Sequence, residues 1–89
     1  MYDFQHLLNQ YRALWNNRSL ETDNSEGTLR EAIKRELKDE NSHPRIRRPL
    51  YEKFYFAVKR INDSSILLED KHSLINLHIE ILEEIKKES

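Results

Sequence analysis

Residues 44–56, PRIRRPLYEKFYF, place three arginines directly before four aromatic side chains. Guanidinium groups bind phosphate and carboxylate oxygens, and aromatic rings stack on bases. The stretch could therefore contact nucleic acid, an anionic lipid surface or an acidic protein. Aromatic residues at helical spacing are also typical of the buried face of a helix.

We define the basic rim as Arg45, Arg47 and Arg48, which precede the third predicted helix. These arginines could meet a partner, or they could pair with Asp and Glu residues of neighbouring helices. We predict that the rim is exposed. The full set of candidate partner contacts is Arg45, Arg47, Arg48, Lys53, Lys59, Arg60, Lys86 and Lys87.

The four histidines do not have the spacing of metal ligands. Zinc sites on helices use histidines about four positions apart, as in the HExxH motif, whereas His72 and His78 are six apart. The sequence therefore predicts no metal site. We expect His78 at the edge of a core face, and His6 and His43 in solvent.

Catalytic motifs are also missing from the sequence. No nucleophile is followed by a glycine-containing oxyanion turn, and the single glycine provides no loop that could cradle phosphate. The acidic pairs at 69–70 and 83–84 consist of adjacent residues, so their side chains point to different sides of a helix. We expect a protein that is not an enzyme and uses no cofactor.

Length and composition predict a single domain over residues 1–89. The absence of cysteine excludes disulfides and thiolate metal sites. No secretory signal is visible, and no apolar stretch approaches the length of a membrane span. These features predict a cytoplasmic protein, and the basic rim would allow transient peripheral contact with the inner face of the cell membrane.

Helical periodicity is clearest near the start of the chain. One face of a helix is formed by Phe4, Leu7, Leu8, Tyr11, Leu14 and Trp15. Asp3 is predicted to cap this helix. Thr28 and Glu31 have the spacing of a capping box for a second helix, although Ser25 could begin that helix one turn earlier. The apolar stripe of the second helix is Leu29, Ala32, Ile33 and Leu37.

Two further helices follow from the same spacing. Either Pro44 or Pro49 could occupy the first turn of the third helix, whose predicted buried stripe is Leu50, Phe54, Ala57, Val58 and Ile61. Apolar residues cover a broader surface from about residue 69 to residue 87, so the fourth helix should be the most buried. Four amphipathic helices with short links predict an all-α, antiparallel four-helix bundle.

Charge is unevenly distributed, although the net charge is −1. Residues 1–27 carry −2, residues 28–60 carry +5 and residues 61–89 carry −4. Oppositely charged helices could neutralise one another in the bundle. The basic excess is small for a DNA-binding domain and no polar recognition helix follows a sharp turn, so no nucleic-acid partner is expected. A nucleic-acid-binding bundle and a small helical regulatory adaptor or inhibitor are the alternative functions.

The C-terminal half resembles the enterocin A-type immunity proteins, which are helical bundles encoded beside class IIa (pediocin-like) bacteriocins of lactic acid bacteria. The likeness is carried by a proline before an apolar helix, by FYF at 54–56, by Asn-x-x-x-Ile at 62–66 and by SLINLHIEILEEI at 73–85. The N-terminal HLLNQYRALWNN, with the polar linker and striped helix after it, fits the same plan.

The resemblance implies that the protein protects its producer cell from a pore-forming peptide. In that family, the immunity protein acts from the cytosolic side on the complex of the bacteriocin with its receptor, the mannose phosphotransferase permease. Discrimination among bacteriocins is associated with the C-terminal half. Carried over here, the implied contact region is residues 44–89, with the basic rim and the exposed face of the last helix as candidates.

Overall fold

The computed structural model describes residues 3–15, 24–40 and 43–88. These residues form four α-helices: α1 (Phe4–Leu14), α2 (Ser25–Leu37), α3 (Leu50–Asp63) and α4 (Leu68–Glu88). A short 3₁₀ helix, Pro44–Ile46, precedes α3. The described ranges contain no β-strand, and α4 packs against each of the other three helices. The predicted all-α four-helix bundle is confirmed.

Side-chain caps fix the N-termini of α1 and α2. Asp3 accepts a hydrogen bond from the amide three residues later (3.2 Å), as predicted. Asn24 caps α2 by accepting from the Gly27 amide (3.1 Å), so the predicted capping box that begins at Thr28 is wrong. Thr28 already lies inside α2, and its amide donates to the Asn24 carbonyl. The Asn side chain caps as well as a Thr hydroxyl does, and α2 therefore begins at Ser25, the alternative start one turn earlier that the sequence allowed.

Both prolines begin helical turns. Pro44 is the first residue of the 3₁₀ helix and Pro49 is the N-cap of α3, where a missing amide hydrogen costs no helical hydrogen bond. The buried Asp39 follows α2 with a φ of 54°, in the left-handed region that Asp tolerates. Its carboxylate accepts a hydrogen bond from the Arg48 amide (2.9 Å). The end of α2 thereby holds the loop that carries the basic rim.

The core lies between α4 and the other helices. α4 supplies the largest buried set, namely Asp70, Leu74, Leu77, His78, Ile81, Leu82 and Ile85, which confirms that it is the most buried helix. α1 and α2 bury Leu7, Leu8, Tyr11, Leu29, Ile33 and Leu37. α3 buries only Ala57 and Ile61, while Leu50 and Phe54 pack against the core and stay partly exposed. Val58 is only partly buried as well, so the predicted stripe of α3 is buried in part.

α3 runs antiparallel to both of its sequence neighbours. Lys71 in α4 donates to the carbonyl of Asn62 near the end of α3 (2.9 Å). At the opposite end of α4, the Lys86 ammonium lies over the ring of Tyr51 (5.6 Å to the centroid). The loop held by Asp39 turns the chain back between α2 and α3. The helices α2, α3 and α4 thus show the predicted antiparallel arrangement.

α1 lies beside α2 and runs in the same direction, so the predicted antiparallel arrangement does not extend to α1. Ser25 donates a hydrogen bond to Gln5 near the two N-termini (2.6 Å), and Tyr11 donates to the Ala32 carbonyl further along both helices (3.4 Å). α1 also meets α4, because His6 pairs with Asp70 near the N-termini of both helices. These contacts bring the C-terminal end of α1 towards α3.

Candidate functional site

The acidic face of α4 is neutralised by α2. Arg30 lies 3.6 Å from Glu80 and 3.3 Å from Glu84, and one turn later Lys34 pairs with Glu88. The hydrogen bond between Lys34 and Glu88 raises the pKa of Lys34 and lowers that of Glu88. We call these pairs the α2–α4 seam. Oppositely charged helices do neutralise each other, but the cations come from α2 and not from the basic rim.

Lys53 joins α3 to α2. Its Nζ atom lies 2.9 Å from Glu36 Oε1 and 3.6 Å from Asp39 Oδ1, and its side chain is only 16% exposed. Removing one partner of such a partly buried pair leaves the other charge uncompensated, which costs stability. Among the eight predicted contact residues, Lys53 therefore has a mainly structural role.

The three arginines of the basic rim are exposed, as predicted. Arg48 pairs with Glu52 one turn further along α3 (2.7 Å). Arg47 reaches a backbone oxygen in the turn after α2 (3.5 Å), and the Arg45 amide donates to His43 Nδ1 (3.2 Å). The ion pair of Arg48 therefore joins the loop before α3 to the first turn of α3, and the arginine stays exposed.

Aromatic side chains extend the basic rim along α3. Tyr51, Tyr55 and Phe56 are 59%, 58% and 47% exposed, and Ile46 in the 3₁₀ helix is 71% exposed. Arg48 lies over the Phe56 ring (5.6 Å to the centroid), and the Tyr55 ring meets Phe56 edge-on. Grouped exposed apolar residues mark binding surfaces more often than single ones do. We define the α3 surface as Arg45, Ile46, Arg47, Arg48, Tyr51, Tyr55 and Phe56.

Three other predicted contact residues are exposed cations. Lys86 lies over Tyr51, and its pKa is raised because it hydrogen-bonds to the Tyr51 hydroxyl. The fold thus brings one cation of α4 to the α3 surface. Lys87 is exposed in the last turn of α4. Lys59 pairs with Asp63 at the other end of α3 (3.2 Å), and this hydrogen bond raises the pKa of Lys59.

The last predicted contact residue, Arg60, lies in a groove between the C-terminal end of α1 and α3. The groove is open to solvent, has a volume of about 620 Å³, and includes Trp15, Arg48, Phe56 and Lys59 in its lining. Arg60 lies over the Trp15 ring, with 5.0 Å between the guanidinium carbon and the ring centroid. We call this feature the α1–α3 groove. Sequence periodicity did not reveal it, because Trp15 and Arg60 are far apart in the chain.

His78 lies inside the core and not at its edge, so this expectation was wrong. Its Nδ1 donates to the Leu74 carbonyl (2.7 Å), and its Nε2 has no hydrogen-bond partner among the described residues. Burial lowers the pKa of His78 to about 4. His6 is at the surface, as expected, but pairs with Asp70 (2.8 Å), and this hydrogen bond raises the pKa of His6.

The described residues also set limits on the kinds of site that they form. In the part of the chain that the structure describes, no three His, Asp or Glu side chains cluster closely enough to hold a metal ion. None of the helices in that part combines the length and apolar character needed to cross a bilayer. Exposed arginines, tyrosines and a groove with an aromatic lining are suited to recognising an anionic surface.

Comparison with known proteins identifies the family. The YoyC family model matches residues 1–89. The chain belongs to the YoyC family. It is 43% identical over 82 residues to a Bacillus subtilis (strain 168) protein named "Uncharacterized protein YoyC", and the alignment covers 92% of this chain and 88% of that relative. No solved structure matches the chain.

The YoyC family description and the name of the Bacillus subtilis relative state no activity. Because the two proteins align over most of both chains, the helical bundle is a property that members of the YoyC family can be expected to share. In this YoyC family member, the α3 surface and the α1–α3 groove are the features from which a function can be inferred.

Proposed function

We propose that this YoyC family protein acts by binding and not by catalysis, and that it confers immunity to a class IIa bacteriocin. It would act in the cytoplasm on the complex of the bacteriocin with the mannose phosphotransferase permease. The proposal is supported by the resemblance of the C-terminal half to the enterocin A-type immunity proteins. It is also supported by the position of the α3 surface in that same half.

The observation that carries the proposal is the exposure of arginine and tyrosine together on the α3 surface. Arg, Tyr and Trp contribute most of the binding energy in many protein interfaces. Tyr51 and Tyr55 are more than half exposed, although α3 also packs against α2 and α4. Two large rings that stay exposed beside three arginines add little to the stability of the fold. We therefore interpret this surface as a binding site for a partner.

The basic rim also suits a partner located at a membrane. Anionic lipids of the cytoplasmic leaflet attract basic side chains by about 1 kcal/mol for each Lys or Arg near the surface. The rim and Lys86 could therefore hold the protein near the permease while the aromatic side chains of the α3 surface contact the complex. Peripheral contact of this kind needs no membrane-spanning helix.

Expression of the protein in a strain sensitive to class IIa bacteriocins tests the proposal. The measurement is growth inhibition by a panel of these peptides, with an empty vector as the control and immunoblotting to confirm expression. We expect protection against one or a few peptides. A folded, expressed protein that protects against none of them would contradict the proposal and favour a regulatory adaptor. Salt-sensitive binding to arbitrary duplex DNA would instead favour a nucleic-acid-binding bundle.

A further inference from the structure

We propose that the α1–α3 groove binds an acidic protein segment and encloses one apolar side chain of that segment. The proposal deepens the function proposed above and rests on it, because it names the chemistry of the partner. The groove has a volume of about 620 Å³, which is within the range of roughly 300–1,000 Å³ that is common for sites that hold a ligand. It is therefore large enough for an aromatic or aliphatic side chain and part of its backbone.

The aromatic lining of the groove is held in place before any partner binds. Trp15 stacks on Tyr11 with 4.5 Å between the ring centroids. Tyr11 is only 3% exposed and hydrogen-bonds to the Ala32 carbonyl, so it supports Trp15 from the core. Phe56 adds a second aromatic ring to the lining. Rings that are already ordered lose little conformational entropy when a ligand binds.

The charges of the groove favour an anionic occupant. Four cations and two carboxylates line it. Lys53 and Lys59 already pair with those carboxylates. Arg60 instead lies over the Trp15 ring, and no carboxylate of the described residues lies within 4 Å of its guanidinium. A partner carboxylate could therefore bind Arg60 beside the tryptophan without displacing an ion pair of the bundle.

The shape of the site favours a protein segment over a lipid surface. A groove is concave, so the flat headgroup layer of a bilayer cannot fill it, whereas a protruding side chain can. Arg48 and Phe56 line the groove and also belong to the α3 surface. α3 contains 14 residues, which corresponds to roughly 21 Å at 1.5 Å per residue. Because the groove and the α3 surface share these two residues, the site extends along α3 and suits a chain segment better than a small anion.

Trp15 allows a direct test, because it is the single tryptophan of the chain. The probe is a random copolymer of Glu and Tyr, titrated against the purified protein while tryptophan emission is excited selectively. Three comparison probes are poly-Glu, a Lys/Tyr copolymer and phosphatidylglycerol-rich vesicles. We expect a saturable change in Trp15 emission with the Glu/Tyr copolymer. Poly-Glu should bind about tenfold more weakly because it offers no apolar side chain, and the Lys/Tyr copolymer should not bind.

The Arg60→Gln variant tests the charge contact within the groove. We expect it to bind the Glu/Tyr copolymer about tenfold more weakly than the unaltered protein. Arg35→Gln is the matched control, since Arg35 is an exposed helical arginine that does not line the groove. Each titration starts from the emission of the free variant, because Arg60 contacts Trp15. Urea unfolding checks that both variants retain the fold.

Equal copolymer binding by Arg60→Gln and Arg35→Gln would overturn the proposal. An emission change with vesicles but not with the Glu/Tyr copolymer would also overturn it and assign the surface to lipid. Failure of the immunity function gives a different result. If the protein gives no protection but shows the Arg60-dependent binding, the immunity function is wrong and the groove proposal stands. If the protein protects cells but does not bind the copolymer, the groove proposal is wrong and the immunity function stands.

Discussion

The α2–α4 seam and the α3 surface use similar charged residues in different ways. In the seam, Arg30 and Lys34 pair with glutamates of a second helix. On the α3 surface, Arg48 lies just before α3, pairs with Glu52 in the first turn of that helix and lies over the exposed Phe56 ring. The ion pairs of the seam therefore link two helices, whereas the ion pair of Arg48 on the α3 surface is local and links none. The comparison shows that the net charge of a segment does not indicate which of its cations are available to a partner.

The largest expected contrast is between the core side of α4 and the α3 surface. Leu74 is fully buried in α4, whereas Tyr55 is 58% exposed. Leu74→Ala should lower the free energy of unfolding by about 2–5 kcal/mol, because it removes buried apolar contacts and leaves a cavity. Tyr55→Ala should change it by less than about 0.5 kcal/mol. Equilibrium urea unfolding measures both, and similar losses would contradict the division between folding and binding surfaces.

Acidification should destabilise the protein by protonating a buried histidine of the core, and not by an effect on the α3 surface. Burial lowers the pKa of His78 from 6.5 to about 4. Since the folded-state pKa lies below the unfolded one, the stability that neutral His78 contributes is present above about pH 6.5 and is lost as the pH falls towards about 4. His78→Leu should remove this part of the acid dependence, measured by urea unfolding at several pH values. An unchanged slope in the variant would show that other groups cause it.

A smaller difference in stability is expected between substitutions of Lys53 and Arg48, two cations that are close together in sequence. Lys53→Met leaves Glu36 and Asp39 without their counter-charge and should destabilise the protein by about 2 kcal/mol. Arg48→Met removes an exposed pair with Glu52 and should cost less than about 1 kcal/mol. Thermal unfolding of the two variants would compare them under one condition. A larger loss for Arg48→Met would mean that the basic rim supports the fold.

Local sequence patterns predicted most of the fold. The apolar spacing from Phe4 to Trp15 marked α1, Asp3 marked its cap, and the broad apolar surface of α4 marked its central position. These features depend on residues within one or two helical turns, where spacing determines which side chains share a face. The start of α2 was left open between Ser25 and Thr28 because both Asn24 and Thr28 are good capping residues, and their spacing alone does not decide between them.

The candidate site was predicted only in part. The exposure of Arg45, Arg47 and Arg48 follows from their place in a polar loop before a helix. The pairing of Lys53 with α2 and the stacking of Arg60 on Trp15 depend on how whole helices pack, which no local pattern records. The direction of α1 relative to α2 also depends on how whole helices pack. The sequence of a polar linker does not specify this direction.

The measurement that most directly tests the role of the α3 surface is protection from a class IIa bacteriocin by a variant of the basic rim. The variant is Arg45→Ala/Arg47→Ala/Arg48→Ala, and the control is Arg35→Ala/Lys38→Ala, which replaces exposed cations of α2 and the turn that follows it. At similar expression and similar free energy of unfolding, the rim variant should lose protection while the control retains it. Full protection by a folded rim variant would contradict the proposed role of the α3 surface.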